Sequence, residues 1–329
     1  MPSQVVILLA GARLARLADV LADRTGLGEA VAVLLGATTS ASGAINSITA
    51  AATGDVDLAY SNALGGIAAQ TAFLAVADCV WRRANLEHAA AEAANLTQAT
   101  TLMVLLTIPL LAGLLPEVTV IGIHPASLVL VLVYVAGVAM ARQDRKQPMW
   151  LPRRTSLTRE DKPEAESEAA GSLVRLAASF GALVLLVGVA GYAIAVTGAS
   201  IAAATGLSST VVGALLTATA TSLPELVTTL AAVRRGALQL AVGGIIGGNM
   251  FDVLFLSLSD TAYRDGSIYN AIGPGSQYWA LVGILMTGVL LLGLIRRQRT
   301  GFANIGLESV LLLALWISSG VVAFVAFGA

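Results

Sequence analysis

Residues Ala218 to Asp260 read ATATSLPELVTTLAAVRRGALQLAVGGIIGGNMFDVLFLSLSD, two apolar segments joined by the basic turn Arg234-Arg235-Gly236. Each segment carries a carboxylate in its interior, Glu225 in the first and Asp252 in the second. An acid inside an apolar helix of membrane length is costly and marks a functional position by default. Pro224 beside Glu225 lacks an N–H, so the Ala220 carbonyl loses its helical partner. A freed carbonyl, a hydroxyl and a carboxylate together form an oxygen cage of the kind hard cations prefer.

The rest of the chain has the same character. Hydrophobic residues make up 57% and charged residues 12% of its 329 positions. A soluble domain carries about 25% charged residues, so this composition indicates a polytopic membrane protein. The apolar residues fall in runs of about 20, the length that spans a bilayer as helix. Ten such segments are read: 4–22, 28–52, 57–81, 98–115, 119–141, 173–197, 207–233, 237–262, 277–296 and 305–327. The first is interrupted by Arg13, Arg16 and Asp19. Single Cys79 excludes an internal disulfide framework and a cysteine metal cluster, and reads as a small buried hydrophobe. No basic stretch precedes the first apolar run, so no cleaved signal peptide is expected.

One long polar stretch, Gln143 to Gly171, separates the fifth and sixth segments. It contains RRTSLTREDKPEAESEAA and three prolines, the composition of a solvated, flexible tether. The expected organisation is a five-helix unit over 1–142, a linker over 143–171 and a second five-helix unit over 172–329. All but three of the 19 lysines and arginines lie in or beside the loops from odd to even segments; the exceptions are Arg13, Arg16 and Arg264. Basic loops face the cytoplasm, so the linker is expected inside and both termini outside.

Five helices that start outside followed by five that start inside form an inverted repeat. Sliding the chain by 182 residues places Thr39-Ser40 on Thr221-Ser222, Gly54 on Gly236, Gly65-Gly66 on Gly247-Gly248, Phe73-Leu74 on Phe255-Leu256, and Asp78 on Asp260. Apolar coincidences are cheap between such helices; the Thr-Ser and Gly-Gly pairs weigh more.

These residues resemble the calcium/cation antiporter superfamily, which includes the sodium–calcium exchangers. Its repeats carry a pattern like G-T-S-x-P-E in one helix and G-N-x-x-G-S-N-x-x-N/D in the next. Thr221-Ser222-Leu223-Pro224-Glu225 and Gly243-Gly244-Ile245-Ile246-Gly247-Gly248-Asn249-Met250-Phe251-Asp252, within a motif spanning 218–256, match closely. Ala220, Gly244 and Gly248 stand where the pattern has Gly, Asn and Ser. The first half, over 36–74, departs further. Ser42 replaces the proline, Gly43 the glutamate and Ile67 an asparagine, while Gln70 sits where Asn or Asp is usual. The resemblance implies ten helices, mid-membrane ion sites between the repeats, and exchange of calcium for sodium or protons by alternating access. It implies no cofactor beyond the transported cations.

The residues themselves limit the chemistry. Glu225 and Asp252 supply at most two negative charges, and the first half offers neutral oxygens from Ser40, Ser42, Asn46, Asn62 and Gln70. Asn62, Gly66 and Gln70 share one helix face at i, i+4 and i+8, as do Gly244, Gly248 and Asp252. The glycines are expected to let helices approach closely. The cation ligands expected are Glu225, Asp252, Asn249, Thr221, Ser222, Asn62, Gln70 and Ser40. Three outcomes stay open: weaker calcium binding, a shift to a monovalent cation such as sodium, or Glu225 as a proton carrier. A further reading is an exchanger-like subunit without transport. Two distant histidines, one cysteine and no H-E-x-x-H or G-x-S-x-G pattern argue against an enzyme. Elsewhere His88, Asp55 and Asp57 are expected in solvated loops, Glu29 and Glu308 at helix ends within reach of water, and His124 in a structural role. The expected setting is a prokaryotic inner membrane, with a homo-oligomer allowed and no nucleic-acid partner.

Overall fold

The computed structural model describes residues 39–81, 83–90, 92–158, 173–301 and 305–328, with Ala10, Arg13 and Leu17. Apart from those three positions, segment 4–22 lies outside the described residues, as do residues 28–38 and Glu29. The chain is an all-α polytopic membrane protein. Its helices are α1 (Ala41–Ala52), α2 (Val56–Val80), the short α3 (Leu86–Ala89), α4 (Ala93–Leu114), α5 (Pro125–Lys146) and α6 (Leu173–Thr205). There follow α7 (Ser209–Thr221), α8 (Leu223–Arg235), α9 (Leu238–Ala262), the short α10 (Ile268–Ala271), α11 (Pro274–Arg296) and α12 (Leu307–Phe327). Among the described residues, seven helices are long and apolar enough to cross a membrane, and α7 with α8 forms an eighth candidate bent by 45°.

Most ends fall within a few residues of the expected segments. The larger differences are the start of the fourth helix (Ala93 rather than 98), both ends of the fifth (125–146 rather than 119–141) and the end of the sixth. The fifth helix starts at Pro125 rather than 119, because Val120 and Ile123 pair across a turn with Ile121 and Gly122 at positive φ. His124 then caps the helix, its Nδ1 accepting the Ala126 N–H, and Pro125 opens it. The sixth runs on to Thr205, and its side chains Leu185, Val189 and Tyr192 face outward.

The core is α2. Twenty of its residues are buried, and it touches α1, α7, α8, α9, α11 and α12. A helix apolar on every side is stable at the centre of such a bundle. In a bilayer its association rests on close packing rather than on a hydrophobic force between helices. Gly65 provides the closest approach: a Cβ there would lie 2.4 Å from the Ala214 Cα of α7. The other glycine pair has no such role, since a Cβ on Gly247 or Gly248 would meet only a glutamine side-chain atom, at 3.5 or 3.6 Å.

Positions 182 residues apart share local structure. Gly54 and Gly236 close the α1–α2 and α8–α9 turns with φ of 85° and 84°, the left-handed region that favours glycine. Ser40 and Ser222 precede α1 and α8 with the same non-helical backbone, φ/ψ of −84°/0° and −91°/4°, and at Ser222 this separates α8 from α7. The turn at Ser40 forms without a proline at position 42. Buried Asp78 accepts from the N–H groups of Leu86 (2.7 Å) and Gly306 (2.8 Å). Asp260 accepts from those of Ile268 (3.2 Å) and His124 (2.7 Å), which are the same positions moved by 182. Each aspartate therefore caps the start of a helix in the opposite half, Asp78 at α12 and Asp260 at α5. Both meet the requirement that buried backbone donors find acceptors.

These ties overturn several loop expectations. His88 is buried, with Nδ1 2.7 Å from the Arg297 carbonyl oxygen and Nε2 2.9 Å from the Thr155 hydroxyl. Part of the linker is thus docked: Arg297 also donates to the Arg153 carbonyl at 2.9 Å, and Thr97 donates to Asp144. Residues 159–172 lie outside the described set. Asp57 accepts from Gly273 N (2.9 Å) and Ser276 Oγ (2.6 Å), and Asp55 from Leu58 N (3.1 Å) and Ser209 Oγ (2.9 Å), so these acids join helix ends. Glu308 is buried against Gly293 and Gly306 rather than open to water. Sequence alone missed these because the partners that tie them to other helices lie far along the chain. Cys79 is half-buried.

Candidate ion site

The break at Ser222 leads directly into Pro224 and Glu225 in the first turn of α8. There the unpaired N–H groups of the helix start favour a negative side chain. Asp252 comes from the middle of α9, Gln70 and Asn62 from α2, and Ser40 from the turn before α1. The elements meet at a buried cavity lined by Ser40, Gly43, Asn62, Gly66, Gln70, Thr221, Ser222, Glu225, Asp252 and Phe255. About 10 Å³ is open to the centre of a water-sized sphere, room for one such particle.

The hydrogen bonds orient the carboxylates and leave oxygens over. Ser40 Oγ donates to Glu225 Oε1 at 3.2 Å and also faces Asp252. Gln70 Nε2 donates to Asp252 Oδ2 at 2.6 Å and to Ser222 Oγ at 3.3 Å. Glu225 Oε2, Asp252 Oδ1 and Gln70 Oε1 are buried without a hydrogen-bond partner. Buried acceptors are normally satisfied, so three orphaned oxygens around one cavity call for a cation or proton. None of the ten lining residues is basic, and the two carboxylates sense each other's charge. Among the described residues no group of three His, Cys, Asp or Glu is placed to hold a metal, so any cation here relies on two acids plus neutral oxygens.

Seven of the eight expected ligands, Glu225, Asp252, Thr221, Ser222, Asn62, Gln70 and Ser40, line this cavity. Asn249 does not; its Nδ2 donates to Thr71 Oγ1 at 2.9 Å, on the α2–α9 seam. Asn62 is largely committed to protein, donating to Gly43 O (3.2 Å) and Ser47 Oγ (2.9 Å) and accepting from Thr217 Oγ1 (3.0 Å). Gly244 and Gly248 share a helix face with Asp252 but lie outside the lining. Ser42 donates to the Thr221 carbonyl at 3.1 Å and so ties α1 to the end of α7. Phe255 was missed as a lining residue; its match to Phe73 marked the position but looked like ordinary apolar repetition.

Fold and site together define a helical membrane protein built around an ion-sized, acidic, buried centre. The chain belongs to the sodium/calcium exchanger protein family, whose sequence profile matches residues 3–142 and 176–325. Sodium/calcium exchanger MaX1 of Methanosarcina acetivorans is 46% identical over 59 residues, a match that spans 18% of this chain and 17% of that protein. Among solved structures, the H+/Ca2+ exchanger CAX aligns with a TM-score of 0.67 at 13% identity, over 99% of this chain and 83% of its own. The sodium-calcium exchanger NCX_Mj aligns with a TM-score of 0.58 at 18% identity, over 96% and 94%. At these identities the structures support the shared fold.

Proposed function

We propose that the protein is a secondary-active cation antiporter that moves calcium in exchange for sodium or protons, by alternating access through the cavity between Glu225 and Asp252. The observation that carries this reading is the set of orphaned oxygens on Glu225, Asp252 and Gln70 around space for one particle. Calcium collects several oxygens including carboxylates, and two carboxylates neutralise one divalent ion. The ligands come from Ser40 at the start of α1, from the bent α7–α8 pair, and from α2 and α9. That arrangement suits two inverted five-helix repeats, 1–142 and 172–329, rocking about a fixed centre. The matched backbone angles at Ser40 and Ser222 and the crossed caps at Asp78 and Asp260 support the same reading. The linker 143–171 then lies in the cytoplasm and both termini outside, in a prokaryotic inner membrane. Homo-oligomerisation is compatible with this arrangement.

The test is radiolabelled calcium uptake into proteoliposomes under imposed proton or sodium gradients, with Glu225→Gln as control. Gradient-driven uptake that the substitution abolishes, in protein that stays monodisperse, is the expected result. Absence of calcium flux under both gradients would sink the calcium reading. Gly43, with no acid opposite Glu225, favours monovalent-cation/proton exchange as the second reading, so sodium-for-proton exchange would be measured next. Silence there too would indicate an exchanger-like subunit without transport.

A further inference from the structure

The first half of α9 presents a face without side chains, and amide oxygens of α4 point at it. Gly243 and Gly247 form one i, i+4 row on this face, and Gly244 and Gly248 form the next. Gly244 is exposed, and Gly243 and Gly247 are half-buried. From the point where a Cβ on Gly243 would stand, Asn95 Oδ1 is 2.9 Å away and Gln98 Oε1 3.9 Å. Both oxygens lack a hydrogen-bond partner, and Asn95 is fully buried. Asn95 Nδ2 donates to the Ala90 carbonyl at 3.4 Å, which fixes the amide and leaves its oxygen toward α9. Further along, Gln98 Nε2 lies 3.5 Å from the Cβ position of Gly247, and Gln70 Oε1 of the cavity lies 3.6 Å from that of Gly248. Two orphaned acceptors beside a bare helix face call for a donor or a cation. Weak contacts from glycine Cα–H groups do not replace a full hydrogen bond.

At the linker end the same seam leads to a cavity of about 220 Å³ bounded by α4, α5, α9 and residues 148–158. Glu92 and Gln239 stand in its wall, one turn before Asn95 and Gly243. The matching face of α2 is shut. Ser61 and Asn62 take its first two positions, donating to the Asp57 and Gly43 carbonyls, and Gly65 backs onto Ala214. The counterpart of Gln98 is Ala280, so the other half has no such pair of oxygens. On the reading of the Glu225–Asp252 cavity as the transport site, we propose that Asn95 and Gln98 are a neutral-oxygen binding station for the transported cation. The station takes the ion, still partly hydrated, from the linker-side cavity and passes it along the glycine face to Gln70 and Asp252. Two amide oxygens replace two waters of a hard cation without adding charge. The ion is therefore held strongly enough to enter and weakly enough to leave. Side chains on the glycine face would fill the space its remaining waters need.

The experiment uses the full chain in inside-out and right-side-out membrane vesicles, with radiolabelled calcium as probe under the gradient that drives the parent. Gln98→Leu, alone and with Asn95→Leu, keeps side-chain size and removes the oxygens. With calcium offered at the linker face, the double variant's half-maximal calcium concentration should rise about tenfold, the scale of losing cation ligands. Offered at the opposite face, it should stay near the parent's. Gln98→Glu retains an oxygen and should show no rise. Gln98→Cys, made with Cys79→Ser, should react with a membrane-impermeant thiol reagent from the linker face alone, and calcium should slow that reaction. Leucine variants that are monodisperse, altered only in Tm and unchanged in half-maximal concentration would reduce the pair to a packing contact and overturn the proposal. So would an introduced thiol that resists the reagent, is reached from the opposite face, or gains no protection from calcium; these readouts stand even where the leucine variants fail to fold. A parent without calcium flux, unchanged by Glu225→Gln, overturns the transport reading instead, and calcium protection of the thiol then decides whether the station exists.

Discussion

Gly65→Ala tests whether α2 and α7 are held at backbone contact. The added methyl would lie 2.4 Å from Ala214 Cα, 2.6 Å from its carbonyl oxygen and 2.8 Å from its Cβ. Carbon atoms prefer about 3.5–4.0 Å, so the two helices must separate by roughly 1 Å at this crossing. A flexible side chain could rotate away; backbone cannot. Overpacking of this kind costs about 1–3 kcal/mol. The adjacent Gly66 is the internal control, because a Cβ there would meet only Ser222 Oγ, at 3.4 Å. Thermal unfolding of the detergent-solubilised protein, followed by fluorescence-detected size exclusion, should show Gly65→Ala lowering Tm by several degrees and Gly66→Ala barely moving it. Gly66→Ala should instead weaken cation binding, since Gly66 lines the cavity. Equal stability for Gly65→Ala and the parent, or the larger loss in Gly66→Ala, would refute the packing argument.

Three further predictions concern the caps and the site. Asp260→Ala leaves the N–H groups of His124 and Ile268 and the Ser127 hydroxyl without their buried acceptor. At about 1–3 kcal/mol each, that should reduce monodisperse yield sharply, with Asp78→Ala behaving alike; normal yield and Tm in both would count against the crossed caps. Burial, and then the nearby Asp78 charge, pushes Glu87 from its ordinary 4.5 up to about 8. The folded state keeps a proton that the unfolded chain releases, so this group's stabilisation is complete below about pH 4.5 and is lost as pH rises to about 8. The slope from this group is at most about 1.4 kcal/mol per pH unit, so Glu87→Gln should flatten the fall of Tm across that window. A parent–variant difference that does not change with pH would contradict this. Gln70→Ala removes the donor to Asp252 and should change calcium affinity by about tenfold or more, the worth of a hydrogen bond to a charged group. Asn249→Ala, outside the cavity, should lower Tm while leaving affinity nearly unchanged, and isothermal titration distinguishes the two.

Sequence by itself determined the class of protein and most of the site. Apolar runs of spanning length mark membrane helices wherever they occur, because a bilayer admits few other structures. Glu225 and Asp252 stood out because charge is rare in such runs, and the 182-residue offset matched them to Gly43 and Gln70 and matched Ser222 to Ser40. Tertiary structure decided what those residues face. The offset aligned Asp78 with Asp260 but could not show that each caps a helix in the opposite half, since a hydrogen bond across more than a hundred residues leaves no local pattern. It aligned Phe73 with Phe255 without showing that one ring lines the cavity over Gly43. Asn249 looked like a ligand from its place in the motif, yet it lies off the cavity on the α2–α9 seam, donating to Thr71. Periodicity and composition report how a residue suits its own helix; which oxygens are left unpaired around a shared space depends on where other helices bring theirs.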